Sequence, residues 1–208
     1  MRHFKSFAVA VLGATALASA VHAQGGQFSG NPIVILNDDG RTLTLTQPFS
    51  YKDFAGVTWK VPAGKRVDGA SIPQPFWTFI GGPLEGKYRN ASIIHDYYCD
   101  EKTRPWRDVH RIFYEGMLTG GVEKTQAKLM YYAVYKFGPR WDIRKIKVPM
   151  SSFSGPPVLV EREIAIPLPS PEYDADQVQA AIDLIATSDP SLVDLEQLAD
   201  ATPTPLPR

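Results

Sequence analysis

The sequence predicts an α+β domain, in which a small antiparallel sheet or hairpin packs against a three- to four-helix unit and a Pro-rich C-terminal tail follows. Three observations predict it. Apolar residues alternate around Leu43–Leu45 and Trp59–Val61, as in half-buried strands. Between Tyr88 and Phe137 they recur every three or four residues, as on one face of a helix. Beyond Met150, proline and acidic residues accumulate, with Pro156-Pro157, Pro167, Pro169, Pro171 and a terminal Thr202-Pro203-Thr204-Pro205 run, a composition typical of linkers.

Taken in order, the first residues read as a removable secretory signal. Arg2 and Lys5 give a positive start, Phe7 to Ala20 an uncharged apolar run, and Val21-His22-Ala23 small residues for cleavage. The expected division is therefore a signal at 1–23, one core domain at 31–150 and a tail at 151–208. The expected destination is the periplasm or the medium.

Within the core, Pro32 to Leu36 and Arg41 to Thr46 flank the turn sequence Asn37-Asp38-Asp39-Gly40, which predicts a hairpin. Val57 to Val61 is a further strand, ended by Pro62-Ala63-Gly64. Ser71-Ile72-Pro73 opens a short helix that Gly81-Gly82-Pro83 breaks. Three longer helices are expected over Tyr88–Asp100, Arg107–Leu118 and Glu123–Phe137, the last closed by Gly138-Pro139. In the tail, Asp176–Ala186 and Ser191–Leu198 have the pattern of acidic amphipathic helices that dock on the core or on another protein.

The balance of 22 basic and 22 acidic residues offers no excess charge for a phosphate backbone, which argues against a nucleic-acid partner. The partner expected instead is a membrane surface or another component of the cell envelope. Cys99 is the only cysteine, so packing rather than disulfide bonding must hold the fold.

The densest polar constellation comprises Asp68 and Ser71, His95-Asp96, and Asp108. His95 shares a helical face with Ala91 and Cys99, so it points inward and needs a hydrogen-bonding partner. Asp108, at the edge of the next helix's apolar stripe, is the expected one. A histidine so oriented can serve as general base toward water, and Asp96, with Asp68, can hold a divalent cation. Calcium suits these oxygen ligands, with carbonyls of the Gly81-Gly82-Pro83 loop completing the shell; zinc would want more than one His or Cys. The competing reading is structural, since a His–Asp pair between two helices is also an ordinary way to satisfy buried polar groups. Asp68 and Ser71 read more readily as a turn and cap than as a nucleophile with its acid. His110, Arg104 and Arg107 are expected on the solvated side or in support of the turn between helices, with Arg107 a weaker candidate for holding an anionic group.

The ordered motifs Val61-Pro62-Ala63-Gly64, Asp68-Gly69-Ala70-Ser71-Ile72-Pro73, Ala91-Ser92-Ile93-Ile94-His95-Asp96-Tyr97-Tyr98, Asp108 with Phe113 and Met117, and Gly121-Val122 resemble the domain of unknown function 1353 family of phage and bacterial genomes. That resemblance covers about Asn31 to Trp141 and implies a fold unit but no reaction. His95-Asp96, Asp108 and Phe113 also follow the order seen in secreted phospholipases A2. The second resemblance implies a base at His95, a calcium ligand at Asp96 and an orienting acid at Asp108, although the flanking cysteines of that family are absent here. Two functions follow: an exported hydrolase-like domain, or a non-catalytic envelope or phage-derived interaction module whose His-Asp-Asp cluster is structural. An enzyme would open His95 and Asp96 onto a pocket, whereas a structural lock would bury both.

Overall fold

A computed structural model describes residues 25–69, 86–150 and 158–201. The expected signal segment, the short helix opening at Ser71 and the Gly81-Gly82-Pro83 loop lie outside these residues. The described chain is an α+β arrangement of helices and three small antiparallel sheets.

Six short strands come first: β1 (Gln27–Phe28), β2 (Val34–Leu36), β3 (Leu43–Leu45), β4 (Phe49–Lys52), β5 (Thr58–Val61) and β6 (Arg66–Val67). They form two sheets, ordered β1-β4-β5 and β2-β3-β6. The β2–β3 hairpin matches the predicted one, with Val34 opposite Leu45 and Leu36 opposite Leu43. Its turn needs Gly40, whose φ of 64° is a left-handed value that glycine adopts without strain. Asp39 fixes the turn by accepting the N–H groups of Arg41 at 3.0 Å and Thr42 at 2.9 Å. These bonds hold its carboxyl well below the usual range. Strand β4 was not expected, although it buries Phe49 and Tyr51 on alternate positions and pairs Tyr51 with Trp59. Its four residues follow directly on Pro48, too short a run for alternation to stand out.

The three long helices lie within two residues of their predicted bounds: α1 (Arg89–Glu101), α2 (Trp106–Thr119) and α3 (Lys124–Phe137). A 3₁₀ turn over Gly86–Tyr88 leads into α1, and α1 ends where Lys102 turns left-handed at φ 52°. At the start of α3, the Glu123 carboxylate caps the helix by accepting the Gln126 N–H at 3.1 Å. The buried stripes of the three helices meet the inner faces of β4 and β5 in one cluster that includes Tyr51, Trp59, Ile94, Phe113, Met130 and Val134.

The largest departure from expectation follows α3. Strands β7 (Arg140–Met150) and β8 (Val158–Leu168) pair antiparallel along their whole lengths, from Arg140 opposite Leu168 to Met150 opposite Val158. Residues 158–168, expected to belong to a Pro-rich tail, are therefore half of a ribbon that begins in the core. The prolines are compatible with this pairing. Each strand of a two-stranded ribbon is an edge, so Pro149 and Pro167 remove no ladder bond that a second neighbour would need.

The final helices are α4 (Ala175–Ser188) and α5 (Leu192–Ala201). They bury Val178, Ala181, Ile185, Leu195 and Ala199. The acidic face of α5 meets cationic and phenolic groups of α2 and α3. Glu196 accepts from Tyr131 at 2.6 Å and from Arg111 at 2.5 Å, while Asp200 accepts from Tyr135 at 3.1 Å and lies 3.6 Å from Arg107. Arg107, read as a weak candidate for holding an anion, holds a carboxylate of its own chain.

Candidate functional site

Helices α1 and α2 pack side by side and press three ligand-type side chains together. His95 and Cys99 stand one turn apart on α1, and His110 faces them from α2. His95 and His110 are 0% exposed and Cys99 is 3% exposed. His95 Nε2 and His110 Nδ1 are 2.7 Å apart, His110 Nε2 is 3.1 Å from the Pro139 carbonyl, and Cys99 Sγ is 3.8 Å from His95 Nδ1. The far end sets the proton order. A carbonyl only accepts, so His110 Nε2–H donates to Pro139 and His110 Nδ1 is left as acceptor for His95 Nε2–H. The bare His95 Nδ1 then receives the Cys99 thiol. Phe113 tilts against the His95 ring at 4.8 Å between centroids, and Trp106 meets His110 edge-on at 5.4 Å.

Removal from water sets the charges as well. Burial lowers the His95 pKa to about 3 and takes His110 well below its ordinary value, so both rings are neutral near pH 7. It pushes the Cys99 thiol up, the opposite of what a reactive thiolate needs.

This arrangement corrects two expectations. Asp108 does not orient His95: it lies exposed in the first turn of α2. Positions 108 and 110 are about 200° apart on a helix of 3.6 residues per turn, so a helix that turns His110 inward turns Asp108 outward. His110, expected on the solvated side, takes the partner's place. Its signal was in the sequence, because Trp106, His110, Phe113 and Met117 follow the spacing of one buried stripe.

Asp96 is also buried, at 3% exposure, but it faces the sheet rather than the histidines. Its Oδ2 accepts the N–H of Asp68 at 3.0 Å and that of Gly69. Gly69 presents its N–H from a φ of 102°, which a residue with a side chain rarely adopts. Among the described residues, Asp96 Oδ1 is buried without a hydrogen-bond partner. Burial, with a smaller contribution from the Asp68 charge, raises the Asp96 pKa to about 8 against the two N–H donors that lower it. Asp68 therefore meets Asp96 through its backbone. Its carboxylate is half exposed and pairs with Arg41 at 3.5 Å. Both N–H donors are held by Asp96 Oδ2, and the Asp68 carboxylate is engaged by Arg41.

Asp68 lines an open polar cleft of about 400 Å³ with Asp39, Arg41, Thr42, Arg66 and Asp100. Neither histidine nor Asp96 belongs to that lining. Two ion pairs form among the lining residues, Arg66 with Asp39 at 2.5 Å and Arg41 with Asp68.

The buried groups give stability a defined pH dependence. His95 and His110 stay neutral in the fold but gain protons in the unfolded chain below about pH 6.5, so stability falls as pH drops from about 6.5 toward 3. Asp96 has the opposite sign. It remains protonated in the fold up to about pH 8, whereas the unfolded carboxyl ionises above about pH 4, so stability is lost as pH rises across that window. Two histidines outweigh one carboxyl on the acid side; above them Asp96 acts up to about pH 8, and the buried Cys99 thiol adds a decline of the same sign beyond that. We expect maximal stability near pH 6.5, with Asp96→Asn abolishing the decline between about pH 6.5 and 8. Urea denaturation of both proteins on either side of that maximum checks this; an equally steep alkaline decline in the variant would contradict it.

Residues 43–134 match the family described as protein of unknown function (DUF1353), as the ordered motifs predicted. Two curated relatives come from Sinorhizobium fredii. The uncharacterized protein y4jT is 51% identical over 120 residues, covering 57% of this chain and 36% of that protein. The uncharacterized protein y4iH is 46% identical over 115 residues, covering 55% of this chain and 48% of that protein. The chain thus spans less than half the length of either relative. No solved structure matches. The similarity to secreted phospholipases A2 is not shown by these comparisons, and the His95–Asp108 pair on which it depended is not formed.

Proposed function

We propose that this DUF1353-containing chain is an exported, non-catalytic docking module, in which the buried histidines lock α1 to α2 and the β7–β8 ribbon engages an anionic lipid surface of the cell envelope. The observation that carries this reading is the far end of the ribbon. Leu159 is 64% exposed, Val158 58% and Met150 52%, and the strand register places Met150 opposite Val158 and Pro149 opposite Leu159. An apolar tip so uncovered is costly in water and favourable at the boundary between headgroups and acyl chains.

Charge selects the surface. Along the ribbon, β7 carries Arg140, Arg144, Lys145 and Lys147 against Asp142, and β8 carries Arg162 against Glu161 and Glu163, with Arg144 paired to Asp142 at 2.7 Å and Lys145 to Glu163 at 4.0 Å. Five cations to three anions leave an excess that favours anionic headgroups, at about 1 kcal/mol per basic residue near the surface. The positive start and apolar run of residues 2–20 support export. The hydrolase alternative has less behind it, because a base for water needs water to reach it and both imidazoles are sealed.

The test is flotation of the protein with vesicles of phosphatidylglycerol and phosphatidylcholine against phosphatidylcholine alone. We expect binding to the anionic vesicles that high salt weakens, and Leu159→Asp to reduce it by roughly tenfold or more, the value of one buried large apolar side chain. Wild-type protein that ignores anionic vesicles, or a variant that binds them equally, would overturn the reading. So would concentration-dependent self-association that Leu159→Asp abolishes in the absence of lipid, which would assign the tip to a second copy.

A further inference from the structure

The inward faces of α1 and α2 bring together three side chains of metal-ligand type. One ring nitrogen of His95, one of His110 and Cys99 Sγ lie within 4.8 Å of one another. We propose that His95, Cys99 and His110 form a binding site for a zinc-class transition-metal ion, built into the helix interface and independent of the ribbon.

Three observations support it. The first is donor chemistry: two imidazoles and one thiol suit zinc and other borderline-soft ions and do not suit calcium or magnesium. The second is spacing. Ligand bonds of about 2.3 Å to sulfur and 2.0 Å to nitrogen at a tetrahedral angle separate sulfur from nitrogen by about 3.5 Å and the two nitrogens by about 3.3 Å. Cys99 Sγ is 3.6 Å from His95 Nε2, which is already close to the first value. The 2.7 Å between His95 Nε2 and His110 Nδ1 falls short of the second by about 0.6 Å, a gap that small side-chain rotations open.

The third is the outer partner of His110. Metal-bound histidines commonly donate their other ring N–H to a carbonyl or carboxylate, which fixes the tautomer and aims the free nitrogen at the metal. His110 Nε2 makes that bond to the Pro139 carbonyl, leaving Nδ1 toward Cys99 and His95. On binding, the Cys99 thiol releases its proton to solvent as the sulfur–metal bond forms, and the His95 proton moves from Nε2 to Nδ1. The three donors supply three of the four positions of a tetrahedral zinc-class ion.

Cobalt(II) is the probe, because its bond to a thiolate produces a charge-transfer absorption that imidazole and carboxylate sites lack. The full protein is unfolded and refolded under reducing conditions with cobalt, so that burial does not block entry, and then titrated with zinc. The expected result is saturable uptake of one equivalent with the thiolate band, bleached by zinc. Cys99→Ala and Cys99→Ser should each lose the band while keeping the wild-type circular dichroism; two variants guard against one that fails to fold. Absence of the band in refolded wild-type protein, or its persistence in a folded variant, would overturn the proposal. Vesicle flotation is a separate readout, so failure of either proposal is distinguishable from failure of the other.

Discussion

His110→Leu is expected to lower the free energy of unfolding by about 2–5 kcal/mol, although leucine is apolar and of comparable size. The loss arises from what remains. His95 Nε2–H loses its acceptor and the Pro139 carbonyl loses its donor, and each buried polar group left without a partner costs about 1–3 kcal/mol. Replacing His95 and His110 together should cost less than the sum of the single changes, because the second removes a group that the first had stranded. Chemical denaturation of the four proteins at neutral pH gives this cycle. A single variant within about 0.5 kcal/mol of wild type, the scatter of ordinary surface changes, would show that the pair does not lock the helices.

Trp141→Ala is expected to cost about 3–5 kcal/mol, the range for removing a large buried aromatic side chain. Trp141 is the anchor of the ribbon: it is 2% exposed, its Nε1–H donates to the Arg104 carbonyl at 2.8 Å, and it sits at the core end of β7 opposite Pro167. A two-stranded ribbon has little stability of its own, so the rest of β7 and β8 depends on this attachment. Hydrogen exchange should show it directly, with amides of Ile143 to Val148 losing protection to a greater extent than those of α1. Equal loss across both elements would mean that Trp141 supports the core in general and gives the ribbon no particular hold.

The helices of the core were legible because each carries a stripe of large apolar residues over three or more turns, with breakers at Gly120-Gly121 and Gly138-Pro139. The β2–β3 hairpin was legible from Asn37-Asp38-Asp39-Gly40. Short strands such as β1 and β6 were not, since two residues contain no period. The ribbon was hidden by its prolines, which signal a linker except where every strand is an edge. In the candidate site, the inward direction of His95 followed from its spacing to Ala91 and Cys99, but its partner did not. Asp108 was favoured on chemistry, as a carboxylate for an imidazole, whereas helix geometry selects His110 two positions later. The role of the Asp68–Gly69 backbone in holding Asp96 was beyond sequence reasoning, because it depends on the turn at Gly69 meeting α1 across the fold.

Separating a catalytic histidine from a locked one is the central question, and the imidazole nitrogens answer it. Titration of ¹⁵N-histidine-labelled protein, followed by NMR between about pH 4 and 8, reads the protonation state of each ring directly. Sealed, neutral rings predict that His95 and His110 hold constant, tautomer-specific shifts across this interval while the protein stays folded, with His110 protonated at Nε2. Titration of either ring near pH 6.5 in the folded protein would contradict the lock, and would return His95 to the role of a base that water can reach.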